Sequence, residues 1–179
     1  YGLELLLRKN TGRFTGWISY TLSRSEQRTP GRNAFEPGIN NGEWYRTPYD
    51  KTHNIAVTTS YELSKKWNFG ANFIYQSGQP VTFPTGQYQY QDITVPSFGQ
   101  RNRNSLPDFH HLDLSATYTP KPNKKSGWRG EWVFSVYNVY NRQNANSIRF
   151  SQDARTGANE AIRFTIFGAV PAVSYNFKF

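Results

Sequence analysis

The sequence contains no cysteine in its 179 residues. This excludes a disulfide framework and a thiolate metal site, but it says little about compartment, because many exported proteins also lack cysteine. No run of about 18 apolar residues occurs, so no transmembrane helix is predicted, and no signal peptide is present. The chain begins at Tyr1 without a methionine. We therefore expect a fragment or a processed chain, in which a missing signal says nothing about export.

Acidic residues are also scarce, with 12 Asp and Glu against 21 Lys and Arg, which gives a net charge of +9. This excess makes nucleic acid, anionic lipid headgroups and anionic ligands the candidate polyanionic partners. Aromatic residues make up 17% of the chain, yet the mean hydropathy is −0.75. Many aromatic residues in a chain of polar mean hydropathy indicate alternation of apolar and polar residues. The sequence has no acidic or low-complexity tract that would suggest disorder.

Period-two alternation runs through the whole chain, and helical periodicity is nearly absent. It predicts an all-β protein, an antiparallel meander of about seven strands. The strand stretches are "GLELLLR", "RFTGWISYTL", "NIAVTTSYEL", "WNFGANFIYQ", "HLDLSATY", "EWVFSVYNVYN" continuing through "SIRF", and the C-terminal "IRFTIF" and "AVPAVSYNFKF". Short turns near 10–12, 64–66 and 120–127 alternate with long loops at about 25–50, 77–107 and 152–160. Pro171 must lie at a strand start, an edge or a bulge.

Alternate connections of a meander lie at opposite ends, so one end carries only tight turns and the other only long loops. This asymmetry is typical of a transmembrane β-barrel, which also carries aromatic girdles on its apolar outer face. We predict a lipid-facing girdle at two heights, about 20 Å apart for eight residues of a tilted strand. Its members are Phe14, Tyr61, Trp67 and Tyr118 near the turns and Tyr20 and Tyr75 near the loops. A soluble β-sandwich would bury this face instead.

Seven strands cannot complete a bacterial barrel, which has an even strand number, and an open edge in lipid leaves backbone groups unpaired. Either one strand lies unrecognised, for instance in "QYQYQDITV", or the chain is the C-terminal arc of a larger barrel.

Several segments together resemble the C-terminal end of a TonB-dependent outer-membrane receptor of the Bacteroidota type, and the resemblance covers essentially the whole chain. The segments are "RTPYDKTHNIAVTTSYEL", "YQSGQPVTFP", "RNRNSLPDFHHLDLSATY", "SVYNVYNRQN" and "VPAVSYNFKF". One departure is His111, where the family pattern leads us to expect a basic residue before "LDLS".

The resemblance implies a barrel of 22 strands around an N-terminal plug, with this chain as strands 16 to 22. It implies import of a scarce nutrient (a siderophore, a cofactor or an oligosaccharide-like ligand) across the cell outer membrane, where the protein is a multi-pass barrel. The ending, with Tyr175, Phe177 and Phe179 on the apolar face, resembles the signal read by the barrel insertion machinery.

The partners expected on this basis are outer-membrane lipid and lipopolysaccharide, the rest of the barrel and its plug, and the barrel insertion machinery. A TonB-type energy-coupling protein would act through the N-terminal part, which this chain lacks. A surface lipoprotein or a larger envelope complex is a further candidate partner.

Two sets of polar and aromatic residues are candidates for contacts inside and above the barrel. The lumen- or plug-facing candidates are Glu4, Arg8, Arg13, Glu62, Asn72, Gln76, Asp113 and Glu131. The ligand-binding candidates in the loops are Trp44, Tyr45, Arg46, Tyr88, Tyr90, Arg101 and Arg103. The alternatives are a solvated loop surface or lipopolysaccharide contact for the arginines, and self-packing of the loops or the outer girdle for the aromatics.

The dense cluster "PDFHHLDLS" does not predict a metal site, because His110 and His111 point to opposite faces of a strand. No Gly-x-Ser-x-Gly, His-Glu-x-x-His or P-loop motif occurs. We therefore predict no catalytic residue, no metal, no cofactor and no enzymatic activity. Nucleic acid is not an expected partner, because no recognised binding module accompanies the charge.

Two other functions stay open. The chain could be a structural barrel subunit of an outer-membrane envelope complex that has lost transport, or a soluble carbohydrate-binding β-sandwich.

Overall fold

The computed structural model describes residues 1–91, 93–121, 127–153 and 155–178 of an all-β protein. One 3-10 turn, Ile39–Gly42, interrupts the strands. The strands are β1 Gly2–Lys9, β2 Phe14–Ser23, β3 Glu26–Gln27, β4 Tyr45–Arg46, β5 His53–Glu62, β6 Trp67–Gln76, β7 Pro80–Val81, β8 Pro84–Tyr90, β9 Ile93–Phe98, β10 Asn104–Ser105, β11 Phe109–Tyr118, β12 Arg129–Tyr137, β13 Ala145–Gln152, β14 Asn159–Thr165 and β15 Val170–Lys178. Within the described ranges, no helix has the length and apolarity needed to cross a membrane.

The main sheet has seven strands in the order β1-β2-β5-β6-β11-β12-β15, and every neighbouring pair is antiparallel. The predicted antiparallel seven-strand sheet is therefore confirmed. Short connections (10–13, 63–66 and 119–128) lie at one end of the sheet, the turn end. Three long excursions (24–52, 77–108 and 138–169) lie at the other, the loop end. Among the described residues β1 and β15 pair on one side only, so the sheet is open.

The register preserves the predicted alternation across all seven strands. Ile18 lies opposite Val57, Val57 opposite Phe73, and Phe73 opposite Leu112. The same face, called the apolar face below, carries Leu3, Leu5, Leu7, Tyr20, Leu22, Ile55, Leu114, Ala116, Phe134, Val136, Val173 and Phe177. The opposite, polar face carries mostly Ser, Thr, Asn and charged side chains. Its larger apolar and aromatic residues include Leu6, Trp17, Ile74, Phe109, Val133 and Tyr137. Pro171 is the second residue of β15, an outer strand of the sheet, as expected for a residue without an N–H donor.

The main sheet is a single layer, and its apolar face has no covering element among the described residues. Tyr45 and Leu106 are the buried hydrophobic residues in this part of the chain, and both belong to the long excursions. On the sheet, large apolar side chains stay open, with Leu5 54%, Phe134 44% and Val173 63% exposed. The apolar surface that a soluble protein would bury is therefore exposed on one face of this sheet.

The three excursions contain strands of their own that do not join the main sheet. The first holds the β3–β4 pair, the second the β7–β10 pair and the β8–β9 hairpin, and the third the β13–β14 hairpin. "QYQYQDITV" thus lies in a hairpin of the second excursion and adds no strand to the main sheet. The expected continuation of β12 through "SIRF" is wrong, because those residues belong to β13, which pairs with β14. The third excursion is consequently longer than the predicted loop at 152–160.

Strand β12 ends at Tyr137 because Asn138 leaves the extended conformation. Asn138 has a φ of 51° and is fully buried. Asparagine tolerates this left-handed region better than most residues. Its N–H donates to the Asp113 carboxylate over 2.9 Å, and its side-chain amide donates to the Arg142 carbonyl over 2.8 Å. These bonds turn the chain out of the sheet into the third excursion.

Candidate functional site

The turn end of the apolar face carries a continuous row of aromatic rings. Trp67 lies opposite Tyr118, Tyr118 opposite Trp132, and Trp132 opposite Tyr175. The ring centroids are 4.7 Å apart both for Trp67 and Tyr118 and for Trp132 and Tyr175. Phe14 and Tyr61 face each other on β2 and β5 and extend the row. Trp132 was not predicted as a member, although its alternation with Phe134 marks it.

The loop end of the apolar face carries a second aromatic row whose hydroxyl groups have polar partners. The Tyr20 hydroxyl lies 2.9 Å from the His53 ring nitrogen, and the Tyr75 hydroxyl donates to Asp108 over 2.7 Å. The His110 ring lies 2.6 Å from the Tyr140 hydroxyl. Rings with one apolar side and one polar tip suit a boundary between hydrocarbon and water. Tyr20 and Tyr75 lie at the loop end, as the sequence predicts. Tyr140 follows the left-handed residue Asn138, after β12 has ended, so alternation along the strand does not determine its position.

Asp108 also fixes the start of the second excursion. Besides the Tyr75 hydroxyl, it accepts the Gly78 N–H over 2.9 Å. The hydrogen bond from Tyr75, followed by that from Gly78, lowers the pKa of the Asp108 carboxyl below its usual value. The carboxylate therefore stays charged and holds the two ends of this excursion together.

The polar face carries hydrogen bonds between neighbouring strands. Thr58 donates to Asn72 over 2.9 Å, and Asn72 contacts Asp113 at 3.5 Å. Asn176 donates to Glu131 over 3.2 Å. The register places the predicted residues Glu4, Arg8, Glu62, Asn72, Gln76, Asp113 and Glu131 on this face. Arg13 immediately precedes β2, where its carbonyl accepts the Glu62 N–H. Their contact with a plug stays a prediction.

The first and second excursions are joined around Asp50, whose side chain has no exposed surface. Asp50 accepts from Arg46 over 2.6 Å and from the Ser25 N–H over 2.8 Å. Arg46 also donates to Ser105, and the buried Asn102 donates to the Arg46 carbonyl over 2.7 Å. Neither Asp50 nor Asn102 was singled out from the sequence, because the bonds link residues far apart in the chain. We call Asp50, Arg46, Ser25, Ser105 and Asn102 the loop core.

Two of the predicted ligand-binding residues belong to this loop core or its rim. Arg46 has its guanidinium paired with Asp50. Tyr45 is buried, and its hydroxyl accepts from Gln27 over 2.9 Å. Self-packing of the loops accounts for both positions. A direct ligand contact by either side chain stays a prediction without a geometric basis.

The other loop candidates are more open. Trp44, Tyr88 and Tyr90 are 63%, 57% and 61% exposed. Arg101 bonds through its backbone to the Asn40 side chain, and Arg103 donates to Gln100 over 2.6 Å. The structure does not bring these five residues together around one cavity.

A cleft lies between the β8–β9 and β13–β14 hairpins. Its upper part has a volume of about 470 Å³, and it is lined by residues of both hairpins, including Gln87, Thr94, Gln152 and Asn159. A lower part of about 550 Å³ reaches down to Leu106 of the second excursion. Pro84, Pro96 and Phe150 line both parts. The sequence reasoning missed this cleft, because neither hairpin was recognised as such.

No group of three or more His, Asp or Glu side chains is arranged to hold a metal ion in the part of the chain that the structure covers. His111 lies 2.8 Å from Asp113 on the polar face, whereas His110 lies on the apolar face. The two histidines therefore point apart, as expected from strand geometry.

Comparison of the chain with protein-family models, with curated proteins and with solved structures gives no match. The functional interpretation therefore depends on the surfaces described above.

Proposed function

We propose that the chain is the C-terminal barrel segment of a TonB-dependent outer-membrane receptor that imports a scarce nutrient. The observation that carries this proposal is the exposed apolar face, which is continuous over seven strands and bounded by an aromatic row at each end. Such a band with two girdles is typical of the outer surface of a transmembrane barrel.

The exposure of this face favours lipid over water as its environment. Burying one Leu or Phe side chain is worth about 1.5–3 kcal/mol, and Leu5, Phe134 and Val173 all stay open. A soluble sandwich would cover them with a second sheet. The four two-stranded sheets lie in the excursions at the loop end, so they do not supply that layer.

The direction of the outer strands supports an arc of a larger barrel. With seven antiparallel strands, β1 and β15 run in the same direction, so they cannot close the sheet by antiparallel pairing. Closure needs an odd number of additional strands, and an open edge would leave backbone groups unpaired in hydrocarbon. A total of 22 strands, as the resemblance implies, meets this condition.

The receptor function depends on the loop end and the polar face. Long excursions with an ordered loop core can form a binding surface, and the polar face fits a wet lumen or a plug. Nutrient import and energy coupling are proposed because the sequence resembles the receptor family. A structural barrel subunit of an envelope complex has the same lipid-facing surface and is the second candidate.

The absence of cysteine allows a direct test of the lipid face. Single cysteines are introduced into the protein in vesicles and labelled with an environment-sensitive fluorophore. Two replace Val57 and Phe73 on the apolar face, and two replace their neighbours Thr58 and Asn72 on the polar face. We expect spin-labelled lipid to quench the labels on the apolar face and not those on the polar face. Equal quenching at neighbouring positions would contradict a membrane barrel.

Uptake separates the receptor from the structural subunit. Cells with and without the protein are compared for energy-dependent uptake of a ferric siderophore, cyanocobalamin and labelled oligosaccharides. If deletion of the protein abolishes uptake of one of these nutrients, the result supports the receptor function. Unchanged uptake together with an altered envelope would support the structural role.

A further inference from the structure

The two hairpins that form the cleft turn one face of each towards the other. In the β8–β9 hairpin, Gln87 pairs with Pro96 and Gln89 with Thr94, so these residues share a face. Tyr88 and Tyr90 alternate with them on the opposite face and do not line the cleft. In the β13–β14 hairpin, Phe150 pairs with Ala161 and Gln152 with Asn159 on the facing wall. The cleft therefore has two walls with regular side-chain spacing.

The walls are polar but almost uncharged. Amide and hydroxyl side chains of both hairpins line the upper part, and Glu160 is the one charged residue lining either part among the described residues. Gln87 and Asn159 make no side-chain hydrogen bond to another described residue, so these amides can both donate to and accept from a ligand. Gln152 is held by its own hairpin, since it donates to the Gly157 carbonyl over 2.8 Å.

The base of the cleft combines aromatic and apolar residues with several polar side chains. The rings of Phe83 and Phe150 meet edge-on with centroids 5.0 Å apart, and this contact links the residue before β8 to the β13–β14 hairpin. Phe98, Ile148 and Leu106 also line the lower part. Its polar lining residues are Gln79, Thr82, Asn102, Asn146 and Ser147. Apolar and aromatic side chains with a few polar groups are the usual composition of a small-molecule site, and both volumes fall in the usual range.

The charge distribution rules against an anionic ligand here. The chain carries a net charge of +9, yet no Lys or Arg lines either part of the cleft among the described residues. A carboxylate or phosphate would lose its hydration without gaining a cation. A ligand rich in neutral hydroxyl groups, with apolar ring faces, matches both the amides and the aromatic floor.

We propose that this cleft binds a neutral oligosaccharide. This inference rests on the proposed receptor function and specifies its substrate class. The Gln87 and Asn159 amides bond sugar hydroxyls from opposite walls, and the Phe150 ring packs against the apolar face of a sugar ring.

The test uses the natively expressed protein, purified in detergent, on an array of neutral oligosaccharides and their uronic-acid counterparts, with a ferric siderophore and short peptides as other probes. We expect binding to neutral members of the array. Gln87→Ala should weaken it about 10-fold, the loss of one or two hydrogen bonds, and Phe150→Ala at least as much. Gln87 is exposed and unbonded, so its removal leaves the hairpin folded.

Ile93→Ala is the matched control and should leave affinity unchanged, because Ile93 pairs with Tyr90 on the outer face of the same hairpin and lines neither part of the cleft. Preference for uronic acids, siderophore or peptide, absence of binding to every neutral member, or equal losses in the Gln87 and Ile93 variants would each overturn the assignment. If spin-labelled lipid quenches only the labels on the apolar face while neutral sugars fail to bind, only the ligand class is wrong. If neutral sugars bind but the quenching pattern fails, the barrel proposal is wrong and the ligand class stands.

Discussion

At the scale of single residues, most buried polar groups in the described part of the chain lie in the excursions, and His111 of β11 is the exception. Asp50, Asn102 and Asn138 are buried, and each bonds to backbone groups or charged partners from distant parts of the chain. Buried polar groups are costly unless they are bonded. Together with the buried Tyr45 and Leu106, these hydrogen bonds give the long excursions a defined shape, which a binding surface needs.

Replacing Asp50 with Asn should open the first excursion. The substitution removes the charge that pairs with Arg46 over 2.6 Å and with Arg24 over 3.7 Å. Breaking a fully buried pair costs about 3–5 kcal/mol, and because the Arg46 side chain is 22% exposed, we expect about 2 kcal/mol. Trypsin cleavage within residues 24–52 should then be roughly 30-fold faster. The control is Glu36→Gln, whose bridge to Arg32 is exposed in the same excursion; a similar acceleration there would show that Asp50 has no special role.

At the scale of elements, the main-sheet strands could be predicted because alternation is a local property. Each residue of "NIAVTTSYEL" shows its face by its neighbours alone, and the register of β5 with β6 follows from a four-residue connection at 63–66. The excursions could not be predicted in this way. The bond from Asn102 to Arg46 joins residues 56 positions apart, and no period in the sequence marks it.

The alternation of β6 makes a quantitative prediction for Phe73, which lies between Val57 and Leu112 in the middle of the apolar face. Phe73→Arg should lower the free energy of unfolding by about 2–4 kcal/mol, the cost of a cation near the bilayer midplane. Ala56→Arg, at similar depth on the polar face of β5, is the matched control and should cost less than about 1 kcal/mol. Urea unfolding in vesicles, followed by tryptophan fluorescence, measures both. A cost below about 0.5 kcal/mol for Phe73→Arg would place this face outside the lipid.

At the scale of the whole molecule, the open sheet limits the ways in which the proposed barrel could be completed. β1 and β15 run in the same direction, and backbone groups on their outer sides need partners in a membrane. Tyr175 and Phe177 lie on the apolar face of β15 near the turn end, as the proposed assembly signal requires, while Phe179 lies outside the described residues. Three ways of completing the sheet differ in what lies beside β15: β1 of the same chain, β1 of a second copy, or further strands of a larger barrel.

Pairs of introduced cysteines distinguish these three arrangements, since these 179 residues include no cysteine. The control pair Val57→Cys and Phe73→Cys lies directly opposite on β5 and β6, close enough for a disulfide, and should oxidise in the native protein. The edge pairs Leu5→Cys or Leu7→Cys with Val173→Cys should form no disulfide in the same membranes, because further strands separate β1 from β15 in a larger barrel. A disulfide within one chain would instead indicate a small closed barrel, and a disulfide-linked dimer would indicate a barrel assembled from copies. Either product would overturn the arc of a 22-stranded barrel, whereas oxidation of the control pair alone is the outcome that the proposed receptor requires.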